Sequence, residues 1–373
     1  MLIDDWFSDL DLALEQNKPT VCYRHPNESV LKRFIQKDDQ LNYSKNLNES
    51  GFVFNPFDSE KEAILFDEKK CAFHEIEFVN EEVDVTELNN DSSVSSENSN
   101  AHMALVNKGI EAIKSNQFKK VVLSRVEAVN RADKTPIEQF KLLLKLYPSA
   151  FVYIWFHPKV GLWIGATPET LLQVKDRQFS TMALAGTQKY NGSLNVNWTD
   201  KEREEQAIVT RVIKENCEPY CSNLNVGTVE TVQAANLVHL KTKISGLLKQ
   251  SDDFKGLIKQ LHPTPAVCGY PLENSKAFIL ENEGYDREFY TGFLGELNRN
   301  SLKTRNRNPR NVENNVYQRK VKGTKLYVNL RCAQLKGDKA LIYVGGGITI
   351  DSNAETEWEE TVNKSQTMIK ALI

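Results

Sequence analysis

From Lys120 onward the chain delivers one short apolar run after another, and the spacing of those runs limits the possible folds more than any other feature. Strands fit Lys120 to Val126, Phe151 to Phe156, Gly161 to Ile164, Thr170 to Val174, Ser180 to Leu184, Gly227 to Val232, Leu237 to Ile244, Phe289 to Leu297, Lys325 to Cys332 and Lys339 to Val344. Helical periodicity marks Met103 to Asn116, Pro136 to Leu146, Asp200 to Cys217, Asp252 to Gln260 and Glu273 to Glu283. Strands that arrive in adjacent groups, as well as between helices, favour an α+β fold over a doubly wound one. The expectation is a single large domain of packed, mostly antiparallel sheets with helices outside.

A chain of 373 residues with 40% hydrophobic content can fill a substantial core. Its net charge of −3 gives no footprint for nucleic acid. Six cysteines are scattered, and only Cys217 and Cys221 are close, so reduced thiols are expected rather than a zinc site. The start, Met1-Leu-Ile-Asp-Asp-Trp6, lacks the basic region of a secretory signal, and the apolar stretch Ala340 to Ile350 is too short to span a bilayer. These features predict a soluble cytoplasmic protein without a membrane partner. Residues 1–80 open with an amphipathic helix bearing Trp6, Phe7, Leu10 and Leu14 and show no catalytic pattern. Residues 81–100 are acidic and Ser/Asn-rich, a loop or linker. Residues 299–325 read as an exposed basic hairpin without the interleaved aromatics of a nucleic-acid surface.

Chemistry concentrates near the C-terminus. Ser352 with Glu355 three residues on suggests a capping box, hence a helix from about Asn353 to the end. Glu357, Glu360 and Lys364 then share one face, while Val362, Ser365, Met368 and Ile369 can turn towards a core. Such a face is either a solvated charge stripe or, beside the expected turn Gly345-Gly-Gly347, a seat for a divalent cation and an anion. The helix at Asp200 places Glu202 and Glu205 in line with Val209 and Val212; these acids serve either the helix dipole or an oxygen-only Mg2+ site. One of Lys119 and Lys120 must point inward from a two-faced strand, and a lysine in low-dielectric surroundings suits general-base work; the alternative is a strand-end lysine snorkelling to water. Glu169 sits in a turn between strands and could be a general acid. His262-Pro-Thr-Pro265 suggests a rigid wall, and His239 and Arg331 lie inside apolar strands, where an arginine needs an anion.

Taken together, these motifs resemble the chorismate-utilising enzymes, isochorismate synthases above all. The resemblance rests on Lys120-Val-Val-Leu-Ser-Arg125, Gly165-Ala-Thr-Pro-Glu169, Leu184-Ala-Gly-Thr187, His262-Pro-Thr-Pro-Ala266, Tyr290-Thr-Gly292, Leu330-Arg-Cys-Ala333, Gly345-Gly-Gly-Ile348 and Glu357-Trp-Glu-Glu-Thr361 with Lys364, in the family's order over residues 101–373. It implies one large domain with the site in a cleft, and Mg2+-dependent conversion of chorismate to isochorismate for menaquinone or siderophore synthesis. Carried over by position, Lys120 would activate the water that attacks C2, and Glu169 would protonate the departing C4 hydroxyl. Glu205, Glu357 and Glu360, with Glu202 close by, would hold the metal. Ala185, Gly186, Thr187 and His239 would face the ring end, and Tyr290, Arg331, Gly345 and Lys364 would grip the carboxylates.

The plain Leu184-Ala-Gly-Thr187 segment, with Lys120 present, implies water rather than ammonia as nucleophile, so no glutaminase subunit is expected and a monomer is the default. Salicylate synthases share the Lys and the Glu and then eliminate pyruvate, which makes them the alternative. Two departures stand out. Gln206 occupies the place where the family usually has histidine after the metal-binding glutamate, and the 299–325 extension is longer than the family's usual turn.

Overall fold

The computed structural model describes residues 2–79, 97–234, 237–303 and 319–373. Helix α1 (Ile3–Glu15) leads into β1 (Thr20–Arg24), β2 (Val30–Gln36), β3 (Tyr43–Ser44), β4 (Gly51–Asn55), β5 (Ala63–Asp67) and β6 (Cys71–Glu77). Next come α2 (Glu97–Lys114), β7 (Lys120–Asn130), α3 (Pro136–Leu146), β8 (Phe151–His157), β9 (Gly161–Thr167), β10 (Thr170–Lys175) and β11 (Gln178–Lys189). After α4 (Asp200–Cys217) follow β12 (Cys221–Ala234), β13 (Leu237–Leu248), α5 (Asp253–Leu261), β14 (Gly269–Tyr270) and α6 (Leu272–Asn282). The chain closes with β15 (Phe293–Lys303), β16 (Arg319–Val328), β17 (Cys332–Lys336), β18 (Lys339–Ile348) and α7 (Ala354–Leu372).

Among the described residues the strands form two nine-stranded sheets, one in the order β14-β7-β18-β17-β9-β8-β1-β2-β6 and the other β12-β13-β11-β10-β16-β15-β4-β5-β3. Every described pairing is antiparallel, as the grouping of strands in the sequence predicts. Residues 20–77 are no separate unit, because their strands extend both sheets at the same end. There the sheets are joined by rings. Phe54 of β4 stacks on Phe289 with centroids 4.3 Å apart and meets Trp155 of β8 at 5.0 Å, while Phe151 of β8 stacks on Tyr327 of β16 at 4.2 Å. Aromatic pairs of this kind contribute about 0.5–1.5 kcal/mol each beyond their buried area. Lys120, Gly345 to Gly347, Gly186 and His239 lie towards the opposite end, on β7 and β18 of one sheet and β11 and β13 of the other.

Helix α7 divides its faces as its phase requires. Met368, Ile369 and Leu372 are fully buried in a cluster with Leu10 of α1 and Phe140 and Leu144 of α3, each such side chain stabilising by about 1.5–3 kcal/mol. The acidic face is left for the cleft. Its cap is Asn353, whose side chain accepts from the backbone N–H groups of Glu355 and Thr356, rather than Ser352, whose hydroxyl accepts from Thr349 N. Val362 is only half-buried.

Two further expectations are corrected. Gly345-Gly-Gly347 is not a turn but strand, with Gly345 to Gly347 paired to Ser124 to Val122 of β7. The run from Lys325 to Cys332 is not continuous either; it breaks at 329–331 between β16 and β17, so Arg331 stands outside both strands with a left-handed backbone, φ 49°. The acidic stretch 81–100 falls largely outside the described residues, and only its last four residues appear, as the first turn of α2. Of the basic extension, the arms 299–303 and 319–323 pair as an antiparallel hairpin, while 304–318 lie outside the described residues. Among the described residues no helix is long and apolar enough to cross a membrane. All six cysteines are buried and free.

Candidate active site

Of the two adjacent lysines that open β7, Lys119 faces solvent and Lys120 is wholly buried, as the two faces of a strand demand. Lys120 Nζ lies 2.9 Å from Glu205 Oε1. The contact is an ion pair by distance, yet the ammonium has no acceptor in hydrogen-bond alignment. Glu205 comes from α4, which begins with a Thr199–Glu202 capping box and buries Val209, Val212 and Ile213 on the side facing the sheets. Burial alone would raise the Glu205 carboxyl, but Lys120, with Lys201 and Lys364, brings it below the usual carboxylate range.

Two more carboxylates descend from α7. Glu357 pairs with Lys201 of α4, and Glu360 Oε1 accepts from Lys364 Nζ at 2.5 Å; the same ammonium donates to Gly345 O at 2.9 Å. The glycine strand makes room for all three acids. A Cβ on Gly347 would sit 2.3 Å from Glu205 Oε1, and one on Gly346 would sit 3.2 Å from Glu357 Oε2 and 3.5 Å from Glu360 Oε1. Close approach of backbone, not turn formation, is what these glycines provide. The helix is held in place by Arg125 of β7, whose Nε donates to Thr361 Oγ1 at 2.9 Å and whose guanidinium lies 4.2 Å over the Trp358 ring.

Glu357 carries the strongest sign of an absent partner. Its Oε2 is buried without a hydrogen bond, and burial together with the neighbouring Glu360 raises its carboxyl to about 7 against the pull of Lys201. Among the described residues no three histidine, cysteine or carboxylate side chains are close enough to hold an ion as they stand, since each acid is turned to a lysine. An orphaned carboxylate oxygen beside a repelled second carboxylate fits a hard divalent cation. Glu202 is placed differently. Its Oε2 accepts from Thr199 N at 2.7 Å and both oxygens accept from Gln188 Nε2 at 2.9 Å, so it caps the helix instead of joining the other three.

The cavity of about 70 Å³ is walled by Glu169, Leu184 to Thr187, Glu205, His239, Tyr290, Arg331, Gly345 to Gly347, Glu360 and Lys364. Glu169, in the turn between β9 and β10, is pushed up to about 8 by burial, against Lys120, Arg331 and Lys364. At neutral pH it holds its proton and can donate it. Gly186 forms a bulge in β11 with φ 67°, which turns its carbonyl to His239 Nδ1 at 3.0 Å. Burial, then Arg331 and Lys364, lowers His239 to about 3, so the ring is neutral; with Nδ1–H given to Gly186 O, Nε2 is a bare acceptor on the cavity wall. The Arg331 guanidinium makes no hydrogen bond or ion pair with a described residue.

The sequence reading missed Lys201, although it stands one turn before Glu205 on the same helix face, a spacing that was there to be read. Gln206, the departure noted above, does not touch Glu205. Its Nε2 donates to Thr242 Oγ1 at 3.0 Å and Ala183 O at 3.2 Å, tying α4 to β13 and β11.

The family model described as chorismate binding enzyme matches residues 39–302, and a second with the same description matches residues 316–370. Isochorismate synthase 2 of Arabidopsis thaliana, a chloroplastic protein, is 30% identical over 286 residues, 73% of this chain and 47% of its own. The isochorismate synthase EntC of Escherichia coli K12 is 29% identical over 265 residues, 68% of this chain and 62% of its own. The matched stretch thus spans about half to three-fifths of these relatives' length. Among solved structures, a Bacillus anthracis protein assigned as a 2,3-dihydroxybenzoate-specific isochorismate synthase superposes with a TM-score of 0.74 at 24% identity, covering 97% of this chain and 98% of that one, which carries the architecture.

Proposed function

The chain belongs to the chorismate-binding enzyme family, and from that premise we propose that it converts chorismate to isochorismate, with Lys120 as general base and Glu169 as general acid. The observation that carries the proposal is Glu169: a buried carboxyl, protonated up to about pH 8, on a cavity also walled by Arg331, Lys364, His239 and the carboxylates Glu205 and Glu360. Exchange of a hydroxyl by water addition needs a base on one side of the ring and a proton for the leaving group on the other. Lys120 takes a proton from water, the oxygen bonds to C2, both ring double bonds shift by one position towards C4, and the C4–O bond breaks as Glu169 delivers its proton. Water enters and water leaves, so the product is an isomer.

Glu205, Glu357 and Glu360 would hold Mg2+, which supplies positive charge to anchor the ring carboxylate. With Glu205 so engaged, Lys120 Nζ would no longer be taken up by its ion pair with that carboxylate. Arg331, Tyr290 and Lys364 would take the remaining carboxylate charge, and His239 Nε2 would accept from a ring hydroxyl. Water as nucleophile requires no ammonia-supplying subunit. Isochorismate made here would enter menaquinone or catechol siderophore synthesis. The test is product analysis by chromatography with chorismate and Mg2+, beside Lys120→Ala and a chelator. Isochorismate, lost in both controls, is expected; salicylate with an equal amount of pyruvate would make the protein a salicylate synthase, and no turnover would refute the proposal.

A further inference from the structure

Beyond Arg331 lies a second chamber of about 210 Å³, three times the volume of the first, and the two share Pro168, Leu184 and Arg331 as a common wall. Its lining includes Lys241 of β13, cross-strand from Leu184. Lys241 is half-buried, and no described residue makes a hydrogen bond or ion pair with its ammonium. Glu230, its cross-strand neighbour on β12, is exposed and does not pair with it. A third group is also unsatisfied: Thr367 Oγ1, on the same wall, is buried without a partner. Lys241 and Arg331 thus line one chamber without a hydrogen bond or ion pair to a described residue. A lysine ammonium with no partner on a chamber wall can take a carboxylate there.

We infer that this chamber is the passage by which a carboxylate-bearing substrate reaches the site, with Lys241 attracting the anion into the chamber and Arg331, on the shared wall, drawing it on to the site. The inference rests on the isochorismate synthase reading for the identity of the anion, a dicarboxylate. Lys241 acts by electrostatic attraction and takes no part in the chemistry. Met182 of β11 lines the chamber but not the site, so a ring placed there narrows the passage and leaves the seat untouched.

Stopped-flow tryptophan fluorescence of chorismate binding with Mg2+, in a Glu169→Gln parent that binds without turnover, separates entry from affinity. Lys241→Met is expected to slow association about three- to tenfold at low salt and to flatten its dependence on ionic strength, because steering by charge is screened. Met182→Phe is expected to slow association and dissociation by the same factor, with Kd unchanged, the signature of a narrowed path; circular dichroism confirms that both variants fold. Association at the parent rate in both variants would overturn the inference, as would a rise in Kd for Met182→Phe through dissociation alone, which would make the chamber part of the seat. The two readings fail separately. Absence of isochorismate from the wild-type enzyme brings down the function and the inference together, whereas turnover with unaltered entry brings down the inference alone.

Discussion

Replacing Glu169 by Gln should cripple the enzyme and stabilise the protein, and the second effect has a pH dependence that follows from burial. In the fold this carboxyl titrates near 8, against an ordinary 4.5. The folded state therefore binds the proton more tightly than the unfolded chain does. The stability this gives is complete below about pH 4.5 and is lost as pH rises to about 8. At 1.36 kcal/mol per pH unit between the two titrations the full loss is about 5 kcal/mol, of which about 2 kcal/mol is already gone at pH 6. Between pH 6 and pH 9 the wild type should thus lose about 3 kcal/mol that the glutamine variant keeps. For 373 residues that is about 4 °C in Tm. The assay is thermal unfolding of both proteins at the two pH values. If the Tm difference between variant and wild type is the same at pH 6 and pH 9, Glu169 is not held protonated and its assignment as general acid fails.

Three further outcomes follow from the same geometry. The rate should fall as pH rises through about 8, when Glu169 loses its proton, and a kcat profile flat to pH 9.5 would contradict this. Gly347→Ala should fold with little change in Tm, because its Cβ meets the movable ends of Glu205 and Lys120, while losing about a hundredfold or more in kcat/KM; Gly345→Ala, whose Cβ meets Leu123 O at 2.7 Å, should lose Tm as well. Glu357→Gln should raise the Mg2+ concentration needed for half-maximal rate at least tenfold, measured by metal titration, since it replaces the carboxylate that holds an unpartnered oxygen.

The face of α7 was legible because a helix repeats every 3.6 residues whatever surrounds it, and Glu357, Glu360 and Lys364 lie as that period places them. The inward lysine of β7 was legible for the equivalent reason in a strand. Three glycines in a row, by contrast, read as a turn; only the carboxylates arriving from α4 and α7, remote in sequence, explain a glycine-rich strand. The break at Asn329-Leu-Arg331 carries no Gly or Pro to announce it. Tertiary bonds impose it: Arg331 O accepts from Ala166 N at 2.9 Å, Asn329 N donates to Gly292 O at 2.8 Å, and Tyr153 OH donates to the Asn329 side chain at 2.6 Å. Which strand lies beside which is likewise set by packing partners that no local pattern encodes, which is why the sequence did not announce Lys201 beside Glu357 or the second chamber.

The aromatic contacts between Phe54, Trp155, Phe289, Phe151 and Tyr327 make the molecule a book whose spine is at the N-terminal strands and whose open pages hold the site. Parting the sheets at the spine means unstacking rings. At the open edge it means only stretching a few ion pairs across a cavity. A closure on a ligand that kept those rings stacked would move the carboxylates of α4 and α7 more than the spine itself. Residues 20–77, whose strands extend both sheets at this spine, thereby set its stiffness, and a cavity cut at Phe54 would be felt at the far end as a change in how readily the pages open.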